Sequence, residues 1–94
     1  MSEGLHKSKS GLIRALVRVE GGKIADVIVS GDFILVPERF IDDLEDTLLG
    51  VAASKEAVLS ALKGFYARGG FQSPATYPED FAEAVVKAVG GQSG

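Results

Sequence analysis

The residues best suited to chemistry in this chain are the carboxylates Asp42, Asp43, Glu45 and Asp46, crowded into five positions. On a helix, Asp42 and Asp46 lie one turn apart, where they could share a divalent ion with water ligands. The same spacing also describes an ordinary solvated helix face. Like charges one turn apart repel weakly, and a basic partner surface would relieve that repulsion. We therefore interpret the cluster as a docking candidate rather than an active site.

Metal and thiol chemistry have little support elsewhere in the chain. His6 is its one histidine and there is no cysteine, so a zinc site would need three carboxylate or water ligands. We interpret His6 as a surface residue in a loose N-terminal arm. The absence of cysteine also removes disulfides and thiol catalysis. No phosphate-cradling glycine loop and no nucleophile elbow is present.

The basic residues divide into two groups. Lys7 and Lys9 can reach a phosphate or carboxylate as mobile point charges, or they can simply be solvated. Arg14, Arg18 and Lys23 form a strip on one face of a predicted sheet. That strip is either ordinary solvated surface or a docking site for an acidic partner, where charge mainly speeds encounter.

Composition narrows the class of protein. The chain has 94 residues, 46% of them hydrophobic, which predicts a single globular domain. A net charge of −3 argues against non-specific nucleic-acid binding. No apolar run approaches the roughly 20 residues of a membrane span, and the N-terminus lacks a signal-peptide apolar core. These features favour a cytoplasmic protein.

Strand periodicity places these residues on a hairpin. Residues 11–20 alternate between apolar and polar side chains, which is typical of a half-buried antiparallel strand. Gly21 and Gly22 suit the tight turn, and 23–30 predicts the return strand. A shorter extended piece follows at 32–36. Residues 1–9 are expected to be a flexible arm.

Gly31, Asp32 and Phe33 join the second strand to the extended piece. They read either as a kink, in which Phe33 plugs the core and Asp32 bonds nearby amides, or as a corner that faces a partner protein. Spacing alone leaves both interpretations open.

Three helices are predicted after this corner. The first runs from Pro37 to a stop at Gly50, the second occupies 55–68 with Ser54 as N-cap, and the third begins at Pro78. Residues 90–94 are expected to be a flexible tail. The predicted fold is α+β: a small antiparallel sheet of two to three strands, hairpin first, packed against three helices in one domain, 1–94, with an ordered core at about 10–89.

An ordered set of short motifs resembles the C-terminal accessory domain of lipoate–protein ligases, especially the separate archaeal-type accessory subunit of a two-chain ligase. The resemblance spans about residues 6–89. Its matching segments are Lys9-Ser10-Gly11-Leu12-Ile13, Gly22-Lys23-Ile24, Ile28-Val29-Ser30-Gly31-Asp32-Phe33, Pro37, Leu44-Glu45 and Leu48-Leu49-Gly50, with a weaker match at Ser73-Pro74 and Pro78-Glu79-Asp80-Phe81.

The resemblance implies a subunit that is not catalytic by itself. ATP, Mg²⁺ and lipoate would be held by the catalytic chain, which forms lipoyl-adenylate with the help of this subunit and then acylates a lysine of a lipoyl-acceptor protein. The expected partner is that catalytic ligase chain, in a heterodimer. The expected partner-interface or near-site residues are Lys9, Gly11, Asp32 and Phe33, with Phe71 and Tyr77 as outlying anchors.

The predicted layout is also similar to iron–sulfur cluster scaffold proteins of the SufE/NifU-like type. Those clusters need thiolate ligands, and this chain has no cysteine. The alternative function is therefore a cysteine-free structural or interaction module of that fold, without chemistry.

Overall fold

The computed structural model describes residues 1–90 and has an α+β fold, as predicted from the sequence. Three antiparallel strands, β1 (Ser2–Ser8), β2 (Gly11–Glu20) and β3 (Lys23–Gly31), lie side by side in chain order. The helices α1 (Phe40–Leu48), α2 (Lys55–Arg68) and α3 (Pro78–Gly90) follow. None of these helices, within residues 1–90, is long and apolar enough to cross a bilayer.

The β2–β3 hairpin confirms the alternation in the sequence. Ile13, Ala15 and Val17 are fully buried against the helices, while the residues between them lie on the outer face of the sheet. Gly21 and Gly22 both adopt positive φ at the turn, which glycine does at little cost. A register shift beside Arg18 and Val19 adds local twist.

The N-terminal segment differs from the prediction. Residues 1–9 were expected to be a flexible arm, but Ser2–Ser8 form β1 and pair with β2 along its whole length, from Ser2 opposite Val17 to Ser8 opposite Gly11. The third strand of the sheet is thus N-terminal to the hairpin. The inner face of β1 carries Gly4 and His6. A strand is predicted from alternating apolar residues, and these two residues do not supply that pattern.

The segment between β3 and α1 also differs. The short extended piece predicted at 32–36 forms no strand of the sheet, and an isolated bridge joins Val36 to Gln72. The first α-helix begins at Phe40 rather than Pro37. The turn before it is closed by hydrogen bonds between residues three apart in the sequence, such as the one from the Phe40 N–H to the Pro37 carbonyl (3.1 Å).

The later helices match their predicted bounds. The Ser54 hydroxyl accepts a hydrogen bond from the Ala57 N–H (3.2 Å) and so caps α2 as expected. Pro78 opens α3, which buries Phe81 and Val85 against the sheet. The predicted flexible tail falls mainly outside the described residues, and its first residue, Gly90, is the last residue of α3.

Candidate functional site

The predicted site residues Gly11 and Asp32 meet at one end of the sheet. The Asp32 N–H donates to the Leu12 carbonyl (2.8 Å), and the Asp32 Oδ2 atom accepts from the Leu12 N–H (3.3 Å). Gly11 has a φ of 131°, and a Cβ atom there would lie 2.5 Å from the Cβ of Asp32. The glycine therefore makes room for the aspartate, and together they close the corner between β2 and the segment after β3.

Gly31 has an equally specific role beside them. A Cβ atom on Gly31 would lie 2.1 Å from the Leu12 carbonyl oxygen, the same oxygen that the Asp32 N–H contacts. The close backbone approach thus requires glycine. This supports the kink interpretation of Gly31-Asp32-Phe33, because local packing alone accounts for Gly31 and for the Asp32 bonds.

Phe33 is half-buried and packs edge-on against the buried ring of Phe81, with 4.9 Å between ring centroids. Edge-to-face geometry at this separation is favourable for aromatic pairs. The side chain therefore plugs the space between the corner and α3, as the kink interpretation predicts, and part of its ring remains open to a partner.

A chain of hydroxyl groups fixes the β1–β2 turn, which carries Lys9. Ser8 and Ser10 share a hydrogen bond (2.8 Å), and Ser10 shares another with Thr76 (2.8 Å). Thr76 is the one buried polar side chain among residues 1–90. Lys9 itself is exposed at the tip of this turn. The turn is thus held against the loop before α3, and the Lys9 amine is free to move.

The loop before α3 is ordered by a second set of hydroxyls. The Tyr66 hydroxyl lies 2.9 Å from the Ser73 Oγ, which in turn donates to the Thr76 carbonyl (2.7 Å). Burial raises the pKa of the Tyr66 phenol, and the hydrogen bond with Ser73 opposes that shift. The phenol is therefore neutral and structural.

Tyr77 and His6 both contact Asp80, in the first turn of α3. The Tyr77 N–H donates to Asp80 Oδ2 (2.9 Å), while His6 Nε2 lies 3.0 Å from Asp80 Oδ1. His6 is therefore a paired residue of β1 rather than a surface group in a loose arm. The Tyr77 side chain is exposed, so its predicted role as an outlying anchor stays a prediction.

Phe71 belongs to an aromatic cluster instead of standing alone. Its ring stacks on Phe65 at 4.8 Å and also contacts Phe40 and Tyr66. The ring is half-buried, so much of its apolar surface is already used inside the domain. Phe71 lies on the α1–α2 side of the molecule and is not among the residues that form the Gly11–Asp32 corner.

Comparison with known proteins supplies the family. Residues 4–85 match the family described as bacterial lipoate protein ligase C-terminus. The chain belongs to this family. It is 40% identical over 79 residues to lipoate-protein ligase A subunit 2 of Thermoplasma acidophilum, a match that covers 84% of this chain and 81% of that subunit.

A solved structure agrees with this ligase C-terminal domain in fold. It comes from work on an archaeal lipoylation system, a bi-partite lipoate protein ligase and its E2 lipoyl domain from Thermoplasma acidophilum. The TM-score is 0.80 at 37% identity, covering 90% of this chain and 94% of that one. The resemblance seen in the sequence is thereby confirmed.

In the basic strip expected on the outer face of the ligase domain, both arginines form ion pairs with neighbouring acids. Arg14 pairs with Glu3, and Arg18 pairs with Asp26 and Glu20 at 2.6 Å each. The hydrogen bonds that Arg18 donates to Glu20 and Asp26 raise the pKa of its guanidinium above the usual value. Both arginines therefore have acidic neighbours within the sheet. The interpretation of the strip as a docking site for an acidic partner stays a prediction.

The acidic cluster on α1 holds one carboxylate with a structural role. Glu45 Oε2 accepts a hydrogen bond from the Val29 N–H (2.8 Å), which covers part of the free edge of β3. Burial is the main reason that the pKa of Glu45 is raised, and the charges of Asp42 and Asp46 add to it. Within residues 1–90, no group of three or more histidine, cysteine or acidic side chains is arranged to hold a metal ion.

Sequence reasoning missed two exposed apolar residues in the ligase domain. Ile34 and Val36 project from the segment after the corner, while Leu35 between them is buried. The sequence signal was present, because alternate residues of an extended segment face opposite sides. The run 33–36 was predicted only as part of a short extended piece, and no exposed face was assigned to it.

Proposed function

We propose that this domain is a non-catalytic accessory subunit of a two-chain lipoate–protein ligase and is required for lipoate adenylation by the catalytic chain. The observation that carries the proposal is the 40% identity to a protein named as subunit 2 of such a ligase, over most of both chains. The fold shared with a bi-partite ligase supports it.

The proposed reaction has two steps on the catalytic chain. The lipoate carboxylate attacks the α-phosphorus of ATP, and the bond to pyrophosphate breaks, which gives lipoyl-adenylate. A lysine amine of the acceptor protein then attacks the acyl carbon, and AMP leaves. ATP, Mg²⁺ and lipoate are assigned to the catalytic chain. A cytoplasmic location, where ATP is available, is part of the proposal.

The subunit acts by differential binding. A protein that binds the adenylation-competent state of its partner more tightly than the open state shifts the partner toward competence. A preference of about 2.7 kcal/mol raises that population ratio roughly 100-fold. No side chain of this domain needs to touch ATP for such an effect.

We assign the partner contacts first to the Gly11–Asp32 corner. Lys9 and Asp32 offer exposed charges there, and Phe33 offers part of an aromatic face beside them. Gly11 contributes by letting Asp32 approach. Phe71 and Tyr77 are assigned as outlying contacts, with Phe71 limited to the part of its ring that stays exposed.

Pyrophosphate release tests the proposal directly. The purified catalytic chain is mixed with ATP, Mg²⁺ and lipoate, with and without this subunit, and pyrophosphate is followed over time. We expect roughly 100-fold faster release in the mixture if the 2.7 kcal/mol preference holds. Equal rates with and without the subunit would show that the adenylation role is wrong.

Lys9→Ala and Asp32→Asn are the variants for the corner assignments. Both residues are exposed, so neither change should lower the thermal unfolding midpoint appreciably. We expect reduced stimulation of pyrophosphate release with an unchanged midpoint. Phe33→Ala is a poorer probe, since it also removes the ring packed on Phe81.

The alternative is an interaction module related to iron–sulfur scaffolds. That relation in layout stays a prediction, and the similarity to a ligase subunit favours the accessory role. The same assay separates the two functions, because an unrelated interaction module would leave pyrophosphate release unchanged.

A further inference from the structure

Two exposed aliphatic side chains, Ile34 and Val36, follow the corner in the sequence. We call these two residues the ridge. They are 60% and 51% exposed, whereas Leu35 between them is 2% exposed. Exposure of large aliphatic groups to water is unfavourable in proportion to their apolar area. Two of them on the same side of one short segment make a small apolar surface that a partner can cover.

The ridge is held in place from both sides. Leu35 anchors it in the core. The Val36 N–H donates to the Gln72 carbonyl (3.0 Å), and the Gln72 N–H donates back to the Val36 carbonyl (2.9 Å). A segment fixed in this way loses little conformational freedom on binding, so more of its contact energy contributes to affinity.

A concavity of about 440 Å³ lies beside the ridge. Its walls are mainly apolar and come from the segment after the corner and from the first turn of α1: Phe33, Ile34, Leu35, Val36, Glu38 and Ile41. A ridge next to a concavity offers two-way complementarity, in which each partner inserts an apolar side chain into the other.

Unpaired negative charge borders this surface. Glu38 and Asp42 share a second small concavity with Ile41 and Arg39. Among the described residues, no ion pair involves Glu38 or Asp42, and the one nearby cation, Arg39, lies over the Phe40 ring at 5.3 Å. On the outer face of the sheet, by contrast, both arginines have acidic partners.

We infer that the docking surface for the catalytic ligase chain extends from the Gly11–Asp32 corner onto the ridge and its acidic border, and that the matching surface is an apolar groove edged by lysine or arginine. The similarity to a subunit of a bi-partite ligase points to this occupant. The unpaired acids of the border define the charge of its surface, because opposite charges around an apolar centre orient the encounter. The inference rests on the proposed function for the identity of the partner, and it goes further by naming the binding surface and the chemistry of its counterpart.

Binding of the whole subunit to its catalytic chain, measured by titration calorimetry, tests the ridge. Ile34→Asp places a charge where the apolar centre must be desolvated, and we expect Kd to rise roughly 30-fold or more. Ile34→Ala removes the contact without adding charge and should raise Kd roughly tenfold. The matched control is Ile28→Asp, on the outer face of the sheet and 49% exposed, which should change Kd less than about threefold.

The acidic border is tested with the double change Glu38→Gln and Asp42→Asn. We expect Kd to rise about tenfold at low salt, and the dependence of Kd on salt concentration to become shallower, because surface charges are screened by salt. Glu56→Gln, on the exposed first turn of α2, is the control and should leave the salt dependence unchanged.

The outcomes distinguish failure of the ridge inference from failure of the proposed function. If the unmodified chains associate and pyrophosphate release is stimulated, but Ile34→Asp and Ile34→Ala bind normally, the ridge inference is overturned and the proposed function stands. If the unmodified chains do not associate and release is not stimulated, both fail. Loss of binding in the Ile34 variants, with normal binding of Ile28→Asp at an unchanged thermal midpoint, supports the ridge.

Discussion

The two edge strands of the sheet, β1 and β3, contact the helices in different ways, and we call these two regions the β1–α3 side and the β3–α1 side. At β1, α3 lies so close that a Cβ atom on Gly4 would be 2.0 Å from the Ala84 carbonyl oxygen and 2.4 Å from the Ala88 nitrogen. At β3, hydrogen bonds link the strand to α1 and to the loop after it: the Ile24 N–H donates to the Val51 carbonyl (2.9 Å), and Glu45 accepts from the Val29 N–H.

This difference indicates that one side of the sheet mainly stabilises the fold and that the other is better suited to bind a partner. The β1–α3 side is specified by small residues that permit close packing, so it has little tolerance for change. The β3–α1 side is joined partly through polar contacts and carries the exposed ridge and the unpaired acids. We conclude that folding depends most on the first side, and that the second has the greater freedom to serve a partner.

The largest predicted effect tests the close packing at β1. Gly4→Val puts a branched side chain at a position where a Cβ atom would already lie within 2.4 Å of α3 backbone atoms. Either the helix or the strand must move, and we expect a loss of about 3 kcal/mol or more in the free energy of unfolding, or a failure to fold. Chemical denaturation followed by circular dichroism measures it.

Gly64→Ala is the matched control for that variant. Gly64 lies in α2, and a Cβ atom added there would have no neighbouring atom within 4 Å. Alanine in a helix interior is more stable than glycine by roughly 0.5–1 kcal/mol, so this change should stabilise the domain. A Gly4→Val protein as stable as the Gly64→Ala protein would contradict the close packing.

A substitution at Thr76 should have a smaller effect on stability than Gly4→Val, and it tests whether packing or hydrogen bonding dominates on the β1–α3 side. Its hydroxyl lies 2.8 Å from Ser10 in a buried position on the otherwise sterically packed side. Thr76→Val keeps the shape but leaves the network short of one partner, and we expect a loss of about 1–2 kcal/mol in unfolding free energy. Thr76→Ser, which retains the hydroxyl, should lose less. If Thr76→Val costs as much as Gly4→Val, packing is not what distinguishes the β1 side.

The elements that the sequence predicted well are those whose stability is local or repetitive. The alternation of β2 buries Ile13, Ala15 and Val17 as expected, and Ser54 caps α2. Both signals come from the chemistry of a few neighbouring residues, and no distant contact is needed to read them.

The missed elements depend on distant contacts. β1 lacks an apolar inner face because Gly4 must admit α3 and His6 bonds Asp80, neither of which is visible within residues 2–8. The ion pair between Glu3 and Arg14 was missed for the same reason, since Glu3 became a neighbour of Arg14 only when β1 joined the sheet. At the site, the meeting of Gly11 with Asp32 followed from the hairpin, whereas the exposure of Ile34 depended on how the chain leaves β3.

The smallest predicted effect concerns the polar contact on the β3 side. Because burial raises the folded-state pKa of Glu45 above its ordinary value of 4.5, the folded protein binds more protons than the unfolded chain between those two values. Stability from this group therefore falls as pH rises from about 4.5 through the raised pKa. Glu45→Gln retains an oxygen for the Val29 N–H and removes the titration, so its stability should fall less over that pH range than that of the unmodified protein.

Thermal or urea unfolding at a series of pH values from 4.5 to neutral measures the difference. Glu45→Ala separates charge from hydrogen bonding, since it also removes the titration but deprives the Val29 N–H of its acceptor, at a cost of roughly 0.5–1.5 kcal/mol at every pH. Parallel pH profiles for the unmodified protein and Glu45→Gln would mean that the carboxylate is well solvated. The polar contacts on the β3–α1 side would then be mainly the backbone hydrogen bonds to the loop after α1. The close packing at Gly4 would be the main remaining difference between the two sides of the sheet.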